Sequence, residues 1–257
     1  MSRVNPAAAI GFDREAASYA SVRPSYPDAV VQLLAEAGVA PGGRVCDLAA
    51  GTGIFTRQLI GAGYDVVAVE PVAGMRAQLT ASTPGIDALD GTAELLPLAD
   101  GSIDAITVAQ GFHWFDPQPA LVEIARVLRP GGVLLMCWNV RDESVRWVQG
   151  WTDTVHGMSG GRPYSDHRER DWVDVIDECG PYGDVSYRRF ANSFETSRAA
   201  VIERTRSTSF VAAAEPALRD AILEAVGQLI DGDPDTAGRD VFEFPNHCDV
   251  WWCHRLP

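Results

Sequence analysis

Short, uninterrupted apolar runs alternate with amphipathic segments along the first 140 positions of the chain. An uninterrupted apolar run is typical of a strand buried on both faces of a sheet. The segments between the runs repeat apolar positions every three or four residues, which is the spacing of a helix with one buried face. Because strands and helices alternate, the pattern predicts an α/β fold with a doubly wound, mostly parallel sheet.

The predicted elements of this half follow one another closely. Five strands are predicted at residues 44–48, 65–69, 86–89, 103–109 and 133–138. Helices are predicted at residues 29–37, with Asp28 as the cap, and at residues 54–60, 72–80 and 119–128. The Arg129-Pro130-Gly131-Gly132 run ends the last of these helices and leads into the fifth strand.

The regular alternation of predicted strands and helices ends after residue 138. Helices are predicted at residues 147–156, 171–179, 197–209 and 216–230, a loop at 157–167, and strands at 185–190 and 248–254. Two late strands with helices between them predict a sheet edge that carries a helical cap, and they bring the sheet to seven strands. We therefore expect a single domain over residues 1–257, with an N-terminal lid at 1–27, a cofactor-binding core at 28–140, and a substrate-side cap with the final strands at 141–257.

Composition narrows the range of partners. A net charge of −14 disfavours nucleic acid, whose phosphates would be repelled. Five scattered cysteines without a C-x-x-C pair, and an N-terminus without a signal-peptide pattern, predict a cytoplasmic protein with reduced thiols. No apolar run approaches membrane-spanning length. The expected partner is a small molecule, and the pattern indicates no particular oligomeric state.

The most specific motif lies where the first strand ends. Asp47 is followed by Gly51-Thr52-Gly53 and then by a helix, which is the strand, Gly-rich turn and helix of a nucleotide-binding unit. The third glycine of a dinucleotide site is absent, and the carboxylate of Asp47 favours a cation over a pyrophosphate. S-adenosylmethionine (SAM) carries an ammonium and a sulfonium and no phosphate. Glu70 ends the next strand, where its two oxygens could accept both hydroxyls of a ribose.

Four segments together resemble the class I SAM-dependent methyltransferases. They are the turn after Asp47, the acidic Glu70, the run at residues 91–97, and the aromatic run at 108–116. The last of these, with the Phe12, Asp13, Tyr19 and Arg23-Pro24-x-Tyr26-Pro27 pattern of the lead, is most similar to the small-molecule, type 11-like branch that includes trans-aconitate methyltransferases. The resemblance implies a Rossmann-like methyltransferase fold, SAM as cofactor, and these cofactor-binding residues: Tyr19, Arg23, Asp47, Ala49, Gly51, Gly53, Glu70, Met75, Thr92, Ala93 and Gln110.

Two of these positions depart from the family pattern. Ala49 stands where a glycine is usual, and it preserves close approach of the cofactor if its φ angle is negative. Thr92 stands where many relatives have an aspartate against the adenine amine, and a threonine can still accept one hydrogen bond. Met75 could flank the adenine or pack in the core, and Tyr19 and Arg23 could lie near the methionine carboxylate or anchor the lead.

The aromatic run supplies candidates for the acceptor side. His113 is the candidate general base for a neutral hydroxyl acceptor, or alternatively a residue that packs to position its loop. Trp114, Phe115 and Trp138 are the candidate walls of a substrate pocket. Arg204, Arg206 and Ser207 could contact substrate, although a solvated helix face is the simpler interpretation. No metal site is expected, because Cys248 and Cys253 would point to opposite faces of one strand.

The sequence thus predicts methyl transfer from SAM to a small organic molecule. Oxygen is the preferred acceptor, as a carboxylate or a hydroxyl, ahead of nitrogen or carbon, and an already ionised acceptor needs no base. Two alternatives stay open at this point. One is an NAD(P)-dependent oxidoreductase, and the other is a cofactor-binding protein without methyl transfer activity.

Overall fold

The computed structural model describes residues 24–160 and 171–257. Seven strands form one sheet in the order β3-β2-β1-β4-β5-β9-β6, and two more form a small ribbon, β7-β8. The strands are β1 Arg44–Leu48, β2 Asp65–Val69, β3 Asp87–Leu89, β4 Ile103–Ala109, β5 Leu128–Arg141, β6 Ser186–Ala191, β7 Phe194–Thr196, β8 Phe242–Phe244 and β9 Asn246–His254.

The first five strands of the sheet pair in parallel, whereas β9 is antiparallel to both β5 and β6. The sequence prediction of a mostly parallel, seven-stranded sheet is therefore confirmed. The helices are α1 Asp28–Glu36, α2 Ile54–Gly61, α3 Ala73–Ser82, α4 Pro117–Val127, α5 Arg146–Ser159, α6 Trp172–Cys179, α7 Arg198–Arg206, α8 Ser209–Ala212 and α9 Pro216–Gly232. None of the described helices is both long enough and apolar enough to cross a membrane.

Each face of the sheet is covered by its own hydrophobic cluster. Because successive side chains of a strand alternate, Val45 joins the cluster built on α1 and α2, while Cys46 joins the cluster built on α4 and α6. Cys248 and Cys253 likewise fall into different clusters, as the predicted alternation requires. A third cluster lies within α5, α7, α8, α9 and the β7-β8 ribbon, so this cap has a core of its own.

The structure corrects several predicted boundaries. The fifth strand, predicted to begin at residue 133, begins at Leu128 and includes residues 129–132, because Gly131 N donates to Arg255 O and Arg255 N donates to Gly132 O. This partner lies at the far end of the chain, where a local turn signal cannot reveal it. Asp28 is the first residue of α1, preceded by Pro27, and makes no side-chain cap. The helix predicted to run to Ser209 ends at Arg206.

Two further predictions concern the chain on either side of residues 161–170, which lie outside the described residues. The predicted loop at 157–167 begins later, because α5 extends to Ser159 and is followed by Gly160 with φ 76°. The rest of that loop, residues 161–167, lies outside the described residues. Asp171, which was predicted to be helical, instead caps α6 by accepting a hydrogen bond from Val173 N at 2.9 Å.

Candidate functional site

A cavity opens at the carboxyl edge of the parallel strands. It encloses about 1280 Å³ of space, a volume that includes its open mouth. Its polar lining comes from the ends of neighbouring strands: Asp47 from β1, Glu70 after β2, Gln110 after β4 and Asn139 from β5. This is the edge at which open α/β sheets bind ligands.

Asp47 brings a buried carboxylate to the cavity. Its Oδ2 accepts a hydrogen bond from Thr56 Oγ1 at 2.6 Å, and its Oδ1 accepts one from Thr107 Oγ1 at 3.1 Å. Burial raises the pKa of Asp47 to about 6, although both hydroxyls oppose the rise. No cationic side chain forms an ion pair with it in the part of the chain that the structure describes. A cationic group of a ligand would therefore stabilise its ionised form.

Glu70 is held at the cavity by two backbone amides. Gly51 N donates to its Oε2 at 2.9 Å, and Val72 N donates to its Oε1 at 2.8 Å. Burial raises the pKa of this carboxyl, and the two amides partly offset that rise. An ionised carboxylate oxygen accepts more than one hydrogen bond, so each oxygen has capacity for a ligand hydroxyl. The ribose-binding role of Glu70 stays a prediction, and this capacity for hydroxyl groups is what that role requires.

The turn after β1 adopts a left-handed backbone at three positions. The φ angles of Ala49, Gly51 and Gly53 are 55°, 57° and 80°. The condition that the sequence analysis placed on Ala49, a negative φ angle, is therefore not met. An alanine in this region costs about 1–2 kcal/mol. Close packing is provided instead by Gly111, since a Cβ atom there would lie 3.0 Å from the Cβ of Ala49.

Two threonine hydroxyls are buried in the cavity wall without a hydrogen-bond partner among the described residues. They are the Oγ1 atoms of Thr52 and Thr92. Burying a hydroxyl without a hydrogen-bond partner costs about 1–3 kcal/mol. In native proteins such a hydroxyl is therefore commonly paired with a ligand or an ordered water. Both hydroxyls can therefore serve a polar ligand in this cavity.

The structure brings most of the predicted site residues together. The ones that line the cavity are Asp47, Ala49, Gly51, Glu70, Met75, Thr92, Ala93, Gln110, Trp114 and Phe115. Gly53 does not line it and instead caps the start of α2. Tyr19 and Arg23 lie outside the described residues.

His113 and Trp138 are not among the residues that line the cavity. Trp138 is fully buried and stacks on Trp172 of α6, with ring centroids 5.1 Å apart, so it packs in the core rather than walling a substrate pocket. Its indole Nε1 donates to Nδ1 of His113 at 3.2 Å. A neutral imidazole that accepts at Nδ1 carries its proton on Nε2.

Sequence reasoning did not single out Pro24, Glu94 or Asn139, which all line the cavity. Thr52, part of the predicted Gly-rich turn, and Arg204, named as a possible substrate contact, line it as well. The signal for Thr52 is its place between the two glycines of the turn. The signal for Arg204 is its spacing from Val201, since positions three apart share one helix face. Val201 and Arg204 are both buried, which contradicts the simpler interpretation of a solvated face at Arg204. Arg206, by contrast, is only half-buried and pairs with Glu203.

Comparison with known proteins decides the family. Residues 46–136 match the family model of a methyltransferase domain. Over 236 residues the chain is 36% identical to an uncharacterised methyltransferase of Mycobacterium bovis, and the match covers 92% of each protein. The chain belongs to the methyltransferase family.

Two further relatives are more distant. A demethylmenaquinone methyltransferase of Renibacterium salmoninarum is 43% identical over 100 residues, which is 38% of this methyltransferase and 42% of the relative. A solved methyltransferase structure from Anaeromyxobacter dehalogenans is 22% identical, with a TM-score of 0.68 over 91% of this chain and 99% of that one. The enzyme is thus a class I SAM-dependent methyltransferase with the Rossmann-like fold.

The chemistry of the lining fits this cofactor. The buried carboxylate of Asp47 suits a positively charged group, and the amide-bound carboxylate of Glu70 suits a pair of hydroxyls. Met75 and Ala93 supply apolar surface beside the unpartnered hydroxyl of Thr92. These are the features that a cationic adenosyl compound needs from its site.

Proposed function

We propose that this methyltransferase methylates an oxygen of a small organic acid, as the trans-aconitate-like branch of its family would. The ionised carboxylate is our first candidate acceptor, and a hydroxyl is the second. The proposal is supported by the engaged Nδ1 atom of His113, which accepts from Trp138, and by the position of His113 outside the cavity lining. A carboxylate needs no base, whereas a neutral alcohol does.

The same proposal assigns roles to the lining. Glu70 would bind the ribose, Thr92, Ala93 and Met75 the adenine, and Asp47 the charged end of SAM. SAM supplies an already activated methyl group, so the protein contributes alignment of the acceptor and exclusion of water. Trp114 and Phe115 would exclude water from the acceptor side.

We also retain the proposed division of the chain. The lid would span residues 1–27, the cofactor-binding core 28–140, and the substrate-side cap 141–257. A small-molecule acceptor is supported by the name of one relative, which acts on demethylmenaquinone. The acidic net charge supports the same conclusion, because it disfavours nucleic acid.

The test is methyl transfer from methyl-labelled SAM to matched sets of compounds. One set contains trans-aconitate, benzoate and other small carboxylic acids, and the others contain the corresponding alcohols and amines. We expect the label in methyl esters, which release methanol in dilute base. A label that resists base, in an ether or a methylamine, would contradict the proposal.

A variant of His113 separates the two oxygen acceptors. We expect His113→Gln to retain at least half of the turnover with an unchanged pH profile, because an ionised acceptor uses no base. A general base contributes about 10²–10⁴-fold to the rate. A hundredfold loss of turnover in this variant would favour the hydroxyl acceptor.

A further inference from the structure

Arg204 carries a buried positive charge to the cavity from outside the sheet. It lies on α7, is 6% exposed, and is the sole cationic side chain among the described residues that line the cavity. Three carboxylates line the same cavity: Asp47, Glu70 and Glu94. Arg204 is therefore the described side chain of the lining whose charge is complementary to an anionic ligand.

The ribbon formed by β7 and β8 supports the guanidinium. Phe194 and Phe244 are directly paired across the ribbon, and their rings stack with centroids 5.3 Å apart at an angle of 5°. The guanidinium carbon of Arg204 lies 4.6 Å from the centroid of Phe244 and 5.3 Å from that of Phe194. Both distances are within the range of a cation–π contact. These contacts orient Arg204 before any ligand binds.

The N–H donors of the guanidinium determine which ligand it can bind. They lie in one plane, in a fork that matches the two oxygens of a carboxylate. An arginine that contacts two aromatic rings and borders a cavity is thus suited to binding a carboxylate through this fork.

The anion could belong to the cofactor, which has a carboxylate of its own, or to the acceptor. The methyltransferase-domain match ends at residue 136, whereas Arg204 lies in the cap that follows. Most of the predicted cofactor-binding residues, from Asp47 to Gln110, lie within the matched residues 46–136. The cap is therefore the part of the chain that is expected to select the acceptor.

We propose that Arg204 is the specificity-determining residue that binds a carboxylate of the acceptor. This inference rests on the proposed small-acid acceptor and names the side chain that recognises it. The acidic lining near Asp47 and Glu70 would repel an anion. The acid is therefore expected to bind at the end of the cavity where Arg204 lies.

The test is calorimetric titration of the protein saturated with S-adenosylhomocysteine. The probes are trans-aconitate, benzoate and phenylacetate, each with its primary amide. The variants are Arg204→Met, which keeps an apolar stem on the two phenylalanines, and Arg204→Lys, which keeps the charge. Arg206→Met is the matched control, since Arg206 lies on the same helix, does not line the cavity and pairs with Glu203. Circular dichroism melting checks that each variant is folded.

We expect at least one carboxylate to bind the wild type and Arg206→Met at least tenfold more tightly than its amide. Arg204→Met should abolish that preference, Arg204→Lys should retain part of it, and the affinity for S-adenosylhomocysteine should change by less than about twofold. Three results would overturn the proposal: none of the carboxylates binds, the preference survives in Arg204→Met, or Arg204→Met loses affinity for S-adenosylhomocysteine. The last result would assign the residue to the carboxylate of the cofactor.

This comparison is independent of methyl transfer. If the ester assay fails while the acid preference depends on Arg204, the proposed reaction is wrong and the recognition of the acid stands. If esters form in Arg204→Met with an unchanged KM for the acid, the proposed function stands and this inference is wrong.

Discussion

Asp47 is a buried acid whose ionised form is unfavourable until a cation is bound. Burial raises its pKa from 3.8 to about 6, and its contacts are two hydroxyls rather than a positive side chain. Between pH 4 and pH 6 the native state thus binds more protons than the unfolded chain. The contribution of Asp47 to stability is therefore largest below pH 4 and is lost as the pH rises through 6.

Asp47→Asn should consequently stabilise the cofactor-free protein at pH 7.5. The ionised carboxylate costs up to about 3 kcal/mol there, and we expect a gain of about 1–3 kcal/mol because asparagine keeps the shape and both hydroxyls can reorient. The measurement is urea unfolding of both proteins at pH 7.5 and pH 4. The gain should shrink at pH 4, and an equal loss of stability at both pH values would contradict this account.

Ala49 and Gly111 share one close contact between two strand ends. Ala49 has a φ angle of 55°, whereas Gly111 has an ordinary backbone with a φ angle of −111°. A Cβ atom on Gly111 would lie 3.0 Å from the Cβ of Ala49 and 3.2 Å from Cγ1 of Val108. The family pattern has a glycine at position 49, and here the small residue that permits the approach lies at position 111.

Substitutions at this pair should be coupled. Gly111→Ala alone should destabilise the protein by about 1–3 kcal/mol through overpacking. Ala49→Gly alone should be neutral or stabilising by up to about 1 kcal/mol, since it relieves the left-handed alanine. In the double variant the cost at Gly111 should fall by at least about 0.5 kcal/mol. A urea-unfolding double-mutant cycle measures this coupling, and additive effects would show that the two side chains do not compete for space.

At the scale of elements, side-chain amides hydrogen-bond the backbone of residues 25 and 26 and so hold the start of the described chain in place. Asn139 Nδ2 donates to Ser25 O at 3.2 Å, and Asn192 Nδ2 donates to the same oxygen at 2.9 Å and to Oδ1 of Asn139 at 2.7 Å. On the other side, Gln58 exchanges two hydrogen bonds with the backbone of Tyr26. Residues 24–26 are thereby held where Pro24 and Tyr26 line the cavity.

Loss of the hydrogen bonds made by Asn139 and Asn192 should weaken cofactor binding with little effect on the free energy of unfolding. We expect Asn139→Ala and Asn192→Ala each to weaken S-adenosylhomocysteine binding by about three- to tenfold, which is about 1 kcal/mol for the lost hydrogen bonds. Asn192 is the matched control because, unlike Asn139, it does not line the cavity. If only Asn139→Ala weakens binding, measured by calorimetry, the effect comes from direct contact and not from the segment.

The elements themselves were largely predictable from the chain. Strands β1, β2 and β4 have the predicted bounds, because their apolar runs end at polar or glycine-rich turns. The ends of β5 were not predictable, since Arg129–Gly132 pairs with a residue more than a hundred positions away. The sequence also could not place Trp138, because its apolar side chain is compatible with either a pocket wall or a core position. Its packing against Trp172, a distant residue in the sequence, decides for the core.

At the scale of the molecule, the sequence predicted the sheet and the cofactor edge better than the cap. Asp47 and Glu70 end adjacent parallel strands, so their proximity follows from the topology alone. Arg204 reaches the cavity only because the cap packs a third hydrophobic core against a ribbon of its own. No local pattern encodes that packing, and its buried helix face differs little in sequence from a solvated one.

The most direct test of the account is calorimetric binding of S-adenosylhomocysteine to the wild type and to Glu70→Gln. The carboxylate is expected to bind the ribose, so we predict a loss of about 1.5–3 kcal/mol, roughly ten- to hundredfold in Kd. The loss should be the same for 5′-deoxy-5′-methylthioadenosine, which has the ribose without the amino acid. Asp47→Asn should weaken only S-adenosylhomocysteine, which carries the ammonium. Unchanged binding of both ligands to Glu70→Gln would contradict the assignment of this cavity to the cofactor.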